Sequence, residues 1–274
     1  MVYKKNRKRF DNQMHKCAAL LLKPGLFSID LHTFLWSGFL KVTGNTSISF
    51  TIIFKKMGEL KAVLFDLDGT LLDNNQVHLD AWKQYLKDNE IELSDEEYKE
   101  KISGRTNLDA VKQIYKKEMT EEEASEYYLK KEEIYRNMYE PNIAPIAGLI
   151  QFLEDLKKHG ITMAIATSGI QVNIDFMFAH VPIKEFFTEV VNSADITRGK
   201  PDPEIFTKTA EALQMPAENC IVFEDSIAGV KSGKAAGMKV VALTTTHTPE
   251  ELEEADLVIK DYTEIDFERL RAIS

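Results

Sequence analysis

The stretch Lys61-Ala62-Val63-Leu64-Phe65-Asp66-Leu67-Asp68-Gly69-Thr70 sets an unbroken apolar run directly against two carboxylates, and this limits what the chain can fold into. A strand with one wet face alternates polar and apolar residues, whereas a run without alternation suits a parallel strand covered on both faces. Ligands of open α/β sheets collect in the crevice beyond the carboxyl ends of such strands, so Asp66 and Asp68 are expected to open into it. A spacing of two turns both side chains the same way if the strand continues. That crowds two negative charges and calls for a cation, with Mg2+ as the expected counter-charge. Asp-x-Asp is also common in loops, and the rest of the chain has to decide.

Residues 75–138 read almost continuously as helix: Val77, Ala81, Trp82 and Tyr85 recur at helical spacing, 102–115 and 121–138 follow likewise, and no strand signal interrupts them. Pro141 and Pro145 break the pattern, and a helix over 148–159 feeds an apolar strand over 161–166. Further strands are expected at 189–192, 220–223, 239–243 and 256–259, with helices at 205–213 and 227–236. This alternation predicts an α/β fold, a doubly wound, Rossmann-like parallel sheet. Its core would comprise residues 57–73 and 146–274, with an inserted α-helical cap over 74–145. Hinge motion near 73–75 and 140–145 would let the cap close over the strand ends and expel water.

With 274 residues, the chain has room for one large domain or a core plus an insertion. Its formal charge of −10 argues against nucleic-acid or anionic-membrane partners. The charge is uneven: residues 1–56 hold ten Lys or Arg against Asp11 and Asp30, a balance of +8 that leaves −18 for the remainder. This segment is expected to be an extension outside the fold, which would begin naturally at Met57. Its start, Lys4-Lys5-Asn6-Arg7-Lys8-Arg9, reads as a nucleic-acid arm, a targeting peptide or chain with no selected role. Apolar stretches are interrupted too often for a transmembrane helix. Cys17 and Cys220 offer neither a disulfide framework nor metal-ligand spacing, so a reducing cytoplasm is expected.

Three more segments fall where strands of this sheet should end. Ala166-Thr167-Ser168-Gly169 offers hydroxyls and backbone N–H groups at the start of the helix carrying Val172 and Phe176, as a phosphate cradle or as an ordinary helix cap. In Arg198-Gly199-Lys200-Pro201-Asp202-Pro203 two prolines stiffen the chain around Lys200, which reads as a charge clamp or as a surface lysine at a turn. Ile221-Val222-Phe223 runs into Glu224-Asp225, hard oxygen ligands of the kind that suits Mg2+.

In this order, the four segments resemble the motifs of the haloacid dehalogenase superfamily, and residues 58–274 resemble its β-phosphoglucomutase-like group with a helical cap. The resemblance implies that Asp66 is the nucleophile of an aspartyl-phosphate and Asp68 the general acid and base. Thr167 and Lys200, with Ser168 alongside, would hold the phosphoryl oxygens. Mg2+ would be bound by Asp66, the backbone carbonyl of Asp68 and Asp225, with Glu224 near or behind it. Asp68 must spend part of the cycle protonated, so a raised pKa is expected.

His78 and Trp82, one helical turn apart, share a face of the cap. They resemble a His and Trp found in β-phosphoglucomutases, in related sugar phosphatases and in a pyrophosphatase of this group, and so do not separate those activities, or they are a packed lid core. Mutases of this group usually carry an arginine three residues after the glycine of Ser103-Gly104-Arg105-Thr106-Asn107 to grip a second phosphate, where this chain has Asn107; Arg105 follows the glycine directly and reads as a substrate contact or as a solvated loop charge. Where mutases carry Ser and Lys after the cradle, this chain has Gly169-Ile170. A bisphosphate intermediate needs both of its phosphates held. The expected activity is therefore Mg2+-dependent hydrolysis of a small phosphate ester, a sugar phosphate, by a monomer. β-Phosphoglucomutase is the alternative, and a catalytically silent binding module is disfavoured because every charged role is filled.

Overall fold

The computed structural model describes residues 59–92, 94, 96, 97, 102 and 105–274. The expectations for the basic segment 1–56 lie outside these residues. Among the described residues, six parallel strands form one sheet: β1 (Ala62–Phe65), β2 (Thr162–Ala166), β3 (Glu189–Val191), β4 (Cys220–Glu224), β5 (Lys239–Leu243) and β6 (Leu257–Ile259). Their order is β3-β2-β1-β4-β5-β6, the doubly wound order whose reversal falls between β1 and β4. The helices are α1 (Asn75–Asp88), α2 (Asn107–Tyr115), α3 (Glu121–Tyr139), α4 (Leu149–Lys158), α5 (Gln171–His180), α6 (Glu204–Ala212), α7 (Ile227–Ala235) and α8 (Phe267–Arg271).

The unbroken apolar run of β1 serves two layers at once. Val63 and Phe65 enter a cluster with Phe152 of α4, Ile174 of α5 and Leu270 of α8; Ala62 and Leu64 enter another with Phe206 of α6 and Val230 of α7. The Phe65 ring stacks on Phe223 of β4 at 5.1 Å and meets Phe187 edge-on at 5.9 Å. Full burial of such a side chain is worth roughly 1.5–3 kcal/mol, which a one-residue slip of the strand would forfeit.

Between β1 and β2, α1, α2 and α3 build a cluster of their own around Leu79, Trp82, Leu86, Val111 and Tyr128. The helical stretches expected at 102–115 and 121–138 correspond to α2 and α3, and the breaks between the helices have local causes. Glu90 takes φ 61° beyond α1, and Lys116 takes φ 50° at the end of α2. Thr106 caps α2 by accepting from the Asp109 N–H, and Thr120 forms a capping box with Glu123 at the start of α3. The chain enters and leaves this block through adjacent connections: Leu72 bridges Pro145, and the Ile146 N–H donates to the Leu71 carbonyl at 3.0 Å. Asn75 already belongs to α1, so the outgoing connection is shorter than expected. No helix among the described residues is long and apolar enough to cross a membrane.

Candidate active site

The Asp66 N–H still donates to the Phe223 carbonyl of β4 at 3.0 Å, and then the chain turns away, with Gly69 at φ 76° and the Thr70 and Leu71 N–H groups donating to Leu67 O. The strand does not continue through Asp68, so the two carboxylates reach different surroundings. Asp66 is buried, whereas the Asp68 side chain is 24% exposed. Lys200 Nζ donates to Asp66 Oδ1 at 2.6 Å and to Glu224 Oε1 at 2.5 Å. Because β1 and β4 are neighbours, Asp66, Glu224 and Asp225 each bring a carboxylate oxygen within 4.8 Å of the others.

Burial pushes the Asp66 carboxyl up to about 8, with the charges of Glu224 and Asp68 adding to the effect and Lys200 opposing it. Asp225 is raised well above the usual range by burial, then by Glu224 and Asp66. Burial alone would pull Lys200 down, but the two carboxylates beside it outweigh this and hold it protonated. Three buried acids thus face one ammonium, and their hard oxygen donors fit a divalent cation such as Mg2+.

Glu224 has little left to offer a cation. Its Oε2 accepts from the Asp225 and Ser226 N–H groups, both at 2.9 Å, and from Ser226 Oγ at 3.0 Å, while Oε1 takes Lys200. It packs over the first turn of α7, where a Cβ on Gly229 would fall 1.8 Å from Oε1. The Asp68 carboxylate lies outside the acidic cluster altogether.

Asp68 Oδ1 accepts from Asn74 Nδ2 at 2.6 Å and stands 3.3 Å from His78 Nε2. The expected rise of its pKa is overturned. Burial pushes it up, but His78, the Asn74 hydrogen bond and the more distant Lys131 together hold it below its ordinary value. Asn74 also accepts from the Gly69 N–H at 3.0 Å and donates to Tyr135 Oη at 2.7 Å, and the Tyr135 ring stacks on His78 at 3.8 Å. Lys131 Nζ lies 2.7 Å from His78 Nδ1. An ammonium can only donate, so this contact assigns the imidazole proton to Nε2, facing Asp68.

Behind His78, Lys131 Nζ donates to Glu132 Oε1 at 3.0 Å, as does Asn107 Nδ2 at 2.9 Å; Glu132 Oε2 accepts from Asn173 Nδ2 of α5 at 2.7 Å. Burial opposes ionisation of Glu132, yet Lys131, His78 and Asn173 outweigh it and hold the carboxyl low.

Asp66, Asp68, Thr167, Ser168, Lys200, Glu224 and Asp225 line one pocket, together with His78, Trp82, Arg105 and Asn107 from the helical block. Thr167 Oγ1 accepts from the Gly169 N–H at 2.9 Å, and Ser168 Oγ is buried without a hydrogen-bond partner. Helix α5 begins after Ile170 with no side-chain cap, so neither hydroxyl is the ordinary cap considered above. Trp82 serves both readings at once, packing edge-on against Tyr85 at 5.9 Å while lining the pocket. Arg105 is exposed at the rim. Sequence reasoning missed Asn74, Asn75, Lys131, Glu132 and Asn173. Lys131 and Glu132 stand in a run of four charged residues, 130–133, yet Ala124, Tyr128, Lys131 and Tyr135 share one buried stripe of α3, and that spacing was a legible signal.

The sequence model of the haloacid dehalogenase-like hydrolases matches residues 63–243, a span that includes both acidic strand ends, Lys200 and the helical block. The validoxylamine A 7'-phosphate phosphatase of Streptomyces hygroscopicus subsp. limoneus is 29% identical over 75% of this chain and 95% of its own length. Hexitol phosphatase A of Escherichia coli (strain K12) is 32% identical over 75% of this chain and 93% of its own. A crystal structure of β-phosphoglucomutase from Clostridium difficile superposes with a TM-score of 0.69 at 25% identity, over 78% of this chain and 96% of that one. With the sheet order and the strand-end acids in agreement, the chain belongs to the haloacid dehalogenase-like hydrolase family, among its phosphatases and phosphomutases.

Proposed function

We propose that this enzyme is a Mg2+-dependent phosphatase that hydrolyses a small phosphate ester, a sugar phosphate, through an aspartyl-phosphate on Asp66. The observation that carries this reading is the buried group of Asp66, Glu224 and Asp225 around Lys200, in a pocket that also presents the unpartnered Ser168 hydroxyl. Asp66, Asp225 and the main chain of Asp68 would hold the cation, which when bound offsets repulsion between an anionic nucleophile and an anionic phosphate.

The Asp66 carboxylate attacks phosphorus, the ester P–O bond breaks, and Asp68 gives a proton to the departing oxygen. Asp68 then takes a proton from the water that attacks the acyl phosphate, which frees inorganic phosphate and restores Asp66. Lys200 Nζ, the hydroxyls of Thr167 and Ser168 and the Ser168 N–H hold the phosphoryl oxygens, the Thr167 and Gly169 N–H groups being engaged within the fold. In this structure Asp68 is held ionised, the form the second step needs. A substrate phosphate brought beside it is a like charge that raises its affinity for a proton before the first step. The helical block over 74–145 acts as the cap of a core made from 57–73 and 146–274, moving on the paired connections.

Phosphatase is favoured over mutase by what surrounds Asn107. Its amide is engaged by Glu132, a buried carboxylate on the helical side of the pocket, and the charge of Lys131 is engaged by the same group. A second phosphate would meet this acid where a mutase needs a cation. Two relatives named for phosphatase activity on validoxylamine 7'-phosphate and on a hexitol support the same choice. The mutase reading rests on the structural likeness to β-phosphoglucomutase. A reducing cytoplasm is our reading of location, supported by the free, buried thiol of Cys220.

Release of inorganic phosphate from a panel of sugar phosphates, with Mg2+ or with EDTA, tests the proposal. Metal-dependent release that EDTA abolishes is expected. With β-glucose 1-phosphate and a trace of the 1,6-bisphosphate, free phosphate is expected to outpace glucose 6-phosphate, and the reverse would establish the mutase. No turnover of any ester would return the silent-module reading.

A further inference from the structure

Two polar side chains without a role in the reaction above meet the carboxylate of Asp225. Asn75 Nδ2 donates to Asp225 Oδ2 at 2.8 Å and to Thr246 Oγ1 at 2.6 Å, and the Thr246 hydroxyl donates to the same Asp225 Oδ2. The three side chains close a triangle. Its two acceptors lie close together as seen from the amide, so one N–H is shared between them, while the hydroxyl gives its own proton to Asp225 Oδ2.

Each corner comes from a different part of the fold. Asn75 is the first residue of α1, Asp225 follows β4, and Thr246 lies in the loop after β5. Thr245 anchors that loop by donating from Oγ1 to the Gly69 carbonyl at 2.5 Å. Gly69 leaves the triangle its room, because a Cβ there would stand 2.1 Å from Asn75 Nδ2 and 2.2 Å from Asp225 Oδ2.

A carboxylate rotates about a broad, soft terminal torsion, so an untethered Asp225 would present its oxygens in many directions. Two donors converging on Oδ2 fix the carboxyl plane and leave the lone pairs of Oδ1 for a cation. We propose that Asn75 and Thr246 are positioning residues for the divalent cation, holding the Asp225 carboxylate oriented before the ion arrives. This inference rests on the reading above that Asp66 and Asp225 hold the cation. Because Asn75 opens the first helix of the cap, it also links cation affinity to cap position: a cap displaced far enough to withdraw the amide weakens cation binding, and by reciprocity a bound cation favours the cap as it stands.

Mn2+, a divalent ion that also takes oxygen ligands, is the probe; binding to the full chain is read from loss of the free-ion EPR signal, independently of turnover. Partners of ligating side chains are worth about 10–100-fold in metal affinity. Asn75→Ala and Thr246→Val are each expected to raise the Mn2+ Kd about 10-fold or more, and Thr246→Ser, which keeps the hydroxyl, to stay within about 3-fold of wild type. The double variant should fall short of the product of the single effects, because both act on one oxygen. Melting temperatures in EDTA identify any variant that fails to fold, and the Thr246→Val and Thr246→Ser pair then decides. Wild-type binding with Asn75→Ala and Thr246→Val unchanged overturns the inference while leaving the cation site standing. No Mn2+ binding by wild type overturns the cation reading, and the inference with it.

Discussion

Asp66→Asn is expected to lower kcat on the order of 10^4-fold or more, the scale of losing a reacting group. The amide keeps the size of the carboxyl but has no anionic oxygen with which to attack phosphorus. Folding should not suffer. In the metal-free protein the Asp66 carboxyl titrates near 8, against the ordinary carboxylate range when unfolded, so the folded state holds its proton more tightly. Stability of the wild type in EDTA therefore falls as pH rises between those values, and the variant, with nothing to ionise there, should show a shallower fall. Thermal melts in EDTA at about pH 5 and about pH 9 check this second part. A variant that keeps substantial metal-dependent turnover would remove Asp66 from the nucleophile's role.

Lys200→Met is expected to cost about 3–5 kcal/mol of folding stability as well as activity, because the substitution strands Asp66 and Glu224, both buried, without their shared ammonium. The sign with pH follows from which groups can respond. The folded pKa of Lys200 lies above its unfolded value, so its contribution is fully present throughout the neutral range and is lost only at strongly alkaline pH. Adding Asp66→Asn should recover part of the loss, since the two side chains are in direct contact. Urea unfolding of the single and double variants reads these differences. A deficit below about 1 kcal/mol would mean the carboxylates find other partners.

The strand ends were legible because chemistry and packing coincide there. An apolar run covered on both faces can end only at the crevice, so Asp66 and Asp225 were placed by the pattern of β1 and β4 alone. Lys200 was legible from its prolines, and the structure buries it between the acids it was expected to serve. Other features depend on contacts that no local pattern encodes. Asp68 is held below its ordinary value, against burial, by His78, Asn74 and Lys131, and Lys131 lies 63 residues away on another helix. The breaks in the helical block turn on single capping residues, Thr106 and Thr120, which a search for apolar spacing passes over. Asn74 and Asn75 stand at the start of α1, and nothing in their spacing shows that the side chain of Asn74 ties Gly69 and Asp68 to Tyr135 while that of Asn75 reaches Asp225.

The role of Asp66 is tested most directly by quenching the enzyme in acid during turnover of its best ester with Mg2+, then locating any phosphoryl group by peptide mass spectrometry. A phosphoryl group on Asp66, formed no more slowly than phosphate is released and absent from Asp66→Asn, is the expected result. A phosphoryl group on any other residue, or full turnover by an enzyme that never carries one, would contradict it.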